Sequence, residues 1–110
     1  MISSATFFGG AKSVTSGSGF SLTPLETRLY CLNASAPSLA ATLPSARSAY
    51  LRLGGPTLMI WNRSGANSIL LKDFAGTTLA TLAVNDIATI GLIDNTTNAG
   101  KWYVSVKAKL

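Results

Sequence analysis

Turn-forming residues punctuate this chain roughly every 8–12 residues from position 27 onward, with short runs of strand formers between them. Few architectures tolerate that spacing. A helix buries one stripe by repeating apolar residues every three to four positions over a long window, and a breaker at such intervals prevents it. Gly54-Gly55-Pro56, Ser64-Gly65-Ala66-Asn67, Ala75-Gly76-Thr77, Asn85-Asp86 and the Asp94–Gly100 loop supply the breaks.

The runs between them read as strands: Thr27–Asn33, Thr57–Arg63, Ser68–Phe74, Thr78–Val84, Ile87–Ile93 and Lys101–Lys109. Alternation assigns their faces. Leu58 and Ile60 share one face, Met59 and Trp61 the other. Trp102, Val104 and Val106 oppose Tyr103, Ser105 and Lys107. Ser38–Leu43 alternates weakly and stops at Pro44; Ser45–Tyr50 has some helix-favouring residues but reads rather as loop or strand. Short turns predict that Ser68–Phe74 returns on Thr57–Arg63, and Ile87–Ile93 on Thr78–Val84. The expected fold is all-β, an antiparallel sandwich or barrel of jelly-roll-like form.

The 110 residues allow one domain. Residues 1–24 read as an extended, flexible N-terminal arm, and residues 25–110 as a single β domain. The stretch from Lys12 to Phe20 is rich in Gly and Ser. Phe7, Phe8 and Phe20 are the candidate partner-binding anchors, because exposed phenylalanines in a free tail are a liability.

The residue types that most often carry catalysis are scarce, leaving Lys, Tyr, Ser or isolated carboxylates for any enzyme built here. The chain has no His, which removes the usual general base and the commonest metal ligand. Cys31 stands alone among apolar neighbours, so neither an internal disulfide nor a Cys-based zinc site can form. The four acids, Glu26, Asp73, Asp86 and Asp94, are widely spaced. No enzyme activity, metal or cofactor is expected. No apolar run approaches a membrane span, and no targeting segment is visible.

Charged residues make up 12% of the chain, against about 25% in ordinary soluble domains. Ser, Thr and Asn in the turns offset part of that shortage. They do not offset Ile69-Leu70-Leu71 or Ile87–Ile93, which are apolar on both faces and need cover on both sides. In so short a chain the second cover is expected from another subunit. The net charge is +5, with basic residues dispersed apart from the last three. Dispersed charge is a poor footprint for nucleic acid; Trp61, Trp102 and Tyr103 could offer stacking platforms, but aromatics at alternating strand positions are expected in the core. A different reading puts a glycan on Trp61 or Trp102 beside Asp94 and Asn95. The favoured expectation is instead that Trp102 packs in the core, while Asp94, Asn95 and Asn98 shape their loop by Asx turns.

From Leu43 to Val104 the chain resembles modules of tailed-bacteriophage virion proteins, found in fibres, spikes and small head-decoration proteins. The shared pattern is Leu43-Pro44-Ser45-Ala46, Gly54-Gly55, and an Ile60-x-Asn62-x-Ser64-Gly65 turn. It continues with Asp73-x-x-Gly76, Leu79-x-Thr81-Leu82 and Asp94-Asn95 … Gly100-x-Trp102. The resemblance implies a non-enzymatic all-β module, commonly trimeric, made in the host cytoplasm and resident in the virion. Lack of a shaft favours a capsid decoration (cement) subunit bound to the major capsid protein or another virion protein. A fibre or spike tip that binds host glycans is the alternative, and a nucleic-acid-binding barrel comes after it.

Overall fold

A computed structural model describes residues 11–22, 29–47 and 58–107. Among these residues the chain forms nine strands and no helix. They are β1 (Ala11–Ser16), β2 (Phe20–Ser21), β3 (Leu29–Ala34), β4 (Leu39–Thr42) and β5 (Leu58–Asn62), followed by β6 (Ile69–Lys72), β7 (Thr78–Leu82), β8 (Ile87–Asp94) and β9 (Lys101–Lys107). Sheet A has the order β1-β3-β5-β8-β9 and sheet B the order β2-β4-β6-β7.

From β1 to β6 the chain alternates between the two sheets. Each return to a sheet runs in the same direction, so β1, β3 and β5 pair in parallel, as do β2, β4 and β6. Ala11 aligns with Leu29 and Leu29 with Met59; Phe20 aligns with Ala41 and Ala41 with Leu71. The first half is thus a coil of stacked two-strand turns, and the antiparallel expectation fails there. It holds where β5 meets β8, β6 meets β7 and β8 meets β9.

Two expected hairpins are corrected. Ser64–Asn67 does not fold β6 back onto β5, and Asn85-Asp86 does not fold β8 onto β7; both turns carry the chain from one sheet to the other. Alternation reports which face of a strand is buried, and that pattern is identical for a hairpin turn and an inter-sheet arch. The β6–β7 turn is a true hairpin. There Asp73 Oδ1 accepts the Ala75 and Thr77 N–H groups at 3.0 and 2.9 Å, and Gly76 takes a positive φ of 92°.

The expected strand faces hold. Tyr30, Leu32 and Ala34 of β3, Leu58 and Ile60 of β5, and Ala88 and Ile90 of β8 point inward from sheet A. They share one core with Ala41, Ile69, Leu71 and Leu82 of sheet B. Each Leu or Ile side chain among them, fully buried, stabilises by about 1.5–3 kcal/mol. Trp102 and Val104 pack against the same cluster.

Residues 11–22 depart from the flexible-arm expectation. They supply β1 and β2, and Phe20 is only 6% exposed within the core. Gly and Ser lower strand propensity, but the ladder to β3 and the burial of Phe20 and Leu22 outweigh that local preference. Phe7 and Phe8 lie outside the described residues.

Candidate functional site

One end of the core is closed by a buried polar clasp. Asn62 ends β5 with its side chain inward, fully buried. Its Nδ2 donates to the carbonyls of Leu82 at 2.9 Å, Asn67 at 3.0 Å and Ala83 at 3.2 Å. Its Oδ1 accepts the Ser64 N–H at 3.0 Å. Ser64 Oγ accepts the Ala34 N–H, and Asn67 Nδ2 donates to the Ala34 carbonyl, each at 2.8 Å. Three crossings between the sheets, after β3, β5 and β7, are thereby tied together. The Asn62-x-Ser64 motif is structural: it satisfies backbone groups that burial would otherwise leave without water.

The Asp94–Gly100 loop is also internally wired. Asp94 Oδ1 accepts the Thr96 N–H at 2.8 Å, and Gly100 N–H donates to Thr97 Oγ1 at 3.0 Å. Trp102 Nε1 donates to the Ala99 carbonyl at 2.8 Å. The Asn98 carbonyl accepts the Ala46 N–H at 2.7 Å, and Asn98 Oδ1 accepts the Ser45 hydroxyl at 3.0 Å. The backbone N–H and then the side chain of Thr96 hold the Asp94 carboxyl below its ordinary value; desolvation opposes them in part, and Lys101 adds a smaller lowering.

Of the residues expected to contact a glycan, Trp102 therefore faces the core and spends its indole N–H on its own loop, while Asp94 organises that loop. Asn95 follows Asp94 there, half-buried. Trp61 is elsewhere. It pairs with Ile87 at the start of β8, and Asp94 ends that strand, about 23 Å of extended chain away. The fold does not bring Trp61 to the loop. Phe20 faces inward, away from any external partner.

Trp61 belongs to the outer face of sheet A. There Leu29, Met59 and Thr89 align across β3, β5 and β8, and Cys31, Trp61 and Ile87 form the next row. Met59 is 39% exposed, and Leu29, Cys31, Trp61 and Ile87 are half-buried. Tyr103 of β9 adds an exposed ring to the same face. The Arg63 guanidinium lies 5.0 Å from the Trp61 ring centroid, a cation–π contact. Trp61 Nε1 is shielded and has no hydrogen-bond acceptor. A groove of about 180 Å³ runs beside this stack, lined by Ser13, Val14, Thr15, Cys31, Asn33 and Arg63.

Sequence reading does not single out Arg63, Asn33, Ser13 or Thr15. They come from three segments, and the parallel ladders that align them are not written in alternation. The usable signal is Arg63 two residues beyond Trp61, which places both side chains on one face of an extended strand. The chain matches no family model, and no curated protein or solved structure matches it.

Proposed function

We propose that this chain is a non-enzymatic structural subunit of a tailed-bacteriophage virion. In that reading it is a capsid decoration (cement) protein that binds the assembled head as a homo-oligomer, three copies being the expected number. The two sheets over one core serve as a β-sandwich module, made in the host cytoplasm and incorporated into the virion.

The outer face of sheet A carries this reading. A sheet with one face on the core ordinarily turns polar residues outward. Here Leu29, Cys31, Met59, Trp61 and Ile87 form contiguous cross-strand neighbours on three strands. A contiguous apolar patch of that kind marks an association surface, and a second copy of the chain is the occupant proposed. The net charge of +5 suits docking of the assembled subunits on an acidic shell surface. The motif resemblance between Leu43 and Val104 supports the choice of a virion protein. Repeated over a lattice, modest contacts gain avidity and add contact area that resists the outward pressure of packaged DNA.

Sedimentation equilibrium and co-sedimentation with shells assembled without this chain test the proposal. The expected results are a mass three times 11.4 kDa and saturable retention on the shells. Met59→Ser is expected to weaken self-association at least tenfold. A wild-type chain that stays monomeric and passes free of the shells overturns the reading.

A further inference from the structure

We propose that the groove between β1 and Arg63 is a recognition site for a single carboxylate group on a compact polar ligand. It draws on two adjacent outward rows of sheet A. Ser13 aligns with Cys31 and Cys31 with Trp61. Thr15 aligns with Asn33, and Arg63 follows Trp61 by two residues, its backbone N–H donating to the Leu32 carbonyl at 2.8 Å. Outward side chains at i and i+2 share a face, so the two rows bring two hydroxyls, a carboxamide and a guanidinium around one depression.

The chemistry follows from Arg63. Among the described residues it has no carboxylate partner, and its guanidinium lies over the Trp61 ring. A contact with the indole face leaves the guanidinium N–H edge unspent. That edge forms a fork that matches a carboxylate through two parallel hydrogen bonds. Ser13, Thr15 and Asn33 are exposed and carry donors and acceptors suited to neighbouring hydroxyl or amide groups. One cation without a second basic residue in the lining matches a monoanion better than a phosphate dianion. The volume, about 180 Å³, falls below the roughly 300–1,000 Å³ of drug-sized pockets. It suits one sugar-acid or amino-acid unit.

The site sits at the β1 side of the apolar patch, and its chemistry does not depend on the virion reading. The test is an amide and indole NMR titration of the full chain. Sodium glucuronate and N-acetyl-aspartate amide distinguish a sugar source from a side-chain source of the carboxylate; glucose and inorganic phosphate are the comparators. Binding of either carboxylate should shift signals of Ser13, Thr15, Cys31, Asn33, Arg63 and the Trp61 indole. Arg63→Gln should weaken binding at least tenfold while keeping a cooperative thermal melt, lowered by no more than the loss of an exposed cation–π contact, and Arg63→Lys should be intermediate. Running the same titration on Met59→Ser separates a groove covered by self-association from an absent site. No carboxylate binding in either protein, equal shifts with glucose, tighter binding of phosphate, or unaltered affinity in Arg63→Gln each overturns the proposal.

Discussion

Ala46 stands where any side chain on Gly100 would have to go. A Cβ on Gly100 would collide with the Ala46 methyl and lie 2.8 Å from the Asp94 carbonyl oxygen, and Gly100 has a positive φ of 69°. The contact locks the Asp94–Gly100 loop against the segment after β4, where Ala46 N–H also donates to Asn98. Two motifs more than fifty residues apart in the sequence meet here. Gly100→Ala is expected to cost about 2–4 kcal/mol, combining left-handed strain with overpacking. Gly65→Ala, which meets nothing within 4 Å, should stay within about 0.5 kcal/mol of wild type. Urea denaturation of both variants checks the contrast, and equal costs would refute it.

Asn62 is expected to be the most sensitive polar position of the core. Asn62→Ala strips three carbonyls of a donor and the Ser64 N–H of its acceptor. With about 1–3 kcal/mol lost for a buried group left unsatisfied, a loss of about 3 kcal/mol or more should appear in the urea midpoint. Asn62→Asp should be worse at neutral pH, because it turns a charged oxygen toward those carbonyls. Lowering the pH should narrow the gap between the two variants. An Asp variant as stable as wild type at pH 7 would show that the clasp is not built as described.

Phe20 separates an arm from a core residue. Phe20→Ala is expected to destabilise the fold by about 3–5 kcal/mol, the range for emptying a buried phenylalanine site. A solvent-facing anchor would change stability by about 0.5 kcal/mol at most. Thermal melts by circular dichroism distinguish the outcomes directly.

Asp94 should contribute to acid sensitivity. Its folded pKa is depressed, first by the Thr96 N–H, then by the Thr96 side chain and, less, by Lys101. A depressed carboxyl stabilises the fold fully above its unfolded value, about 3.9, and the contribution is lost as pH falls through the lower folded pKa. Asp94→Asn should therefore be less stable than wild type at pH 7, and the difference should shrink below about pH 4. Chemical denaturation at pH 7 and pH 2.5 measures it. A pH-independent difference would count against a role for the Asp94 charge.

The β class, most strand positions and the residues that share a face were legible in the chain's local pattern, but not which apolar face of β5 turns inward. The legible properties follow from alternation and turn chemistry, which are local: Leu58 shares a face with Ile60, and Trp102 with Val104, as their spacing requires. The Asx turn at Asp94 and the hairpin at Asp73–Gly76 are local for the same reason. Tertiary structure alone decided which strands meet. Nothing in the residue types of Ser64–Asn67 or Asn85-Asp86 distinguishes a hairpin from a crossing between sheets, since the same polar turn formers serve both. Burial of Phe20 and the ladder onto β3 drew a Gly/Ser-rich segment into the fold against its propensity. The candidate groove needed both results. Ser13, Asn33 and Arg63 lie on three separate segments, and only parallel stacking of β1, β3 and β5 sets them side by side.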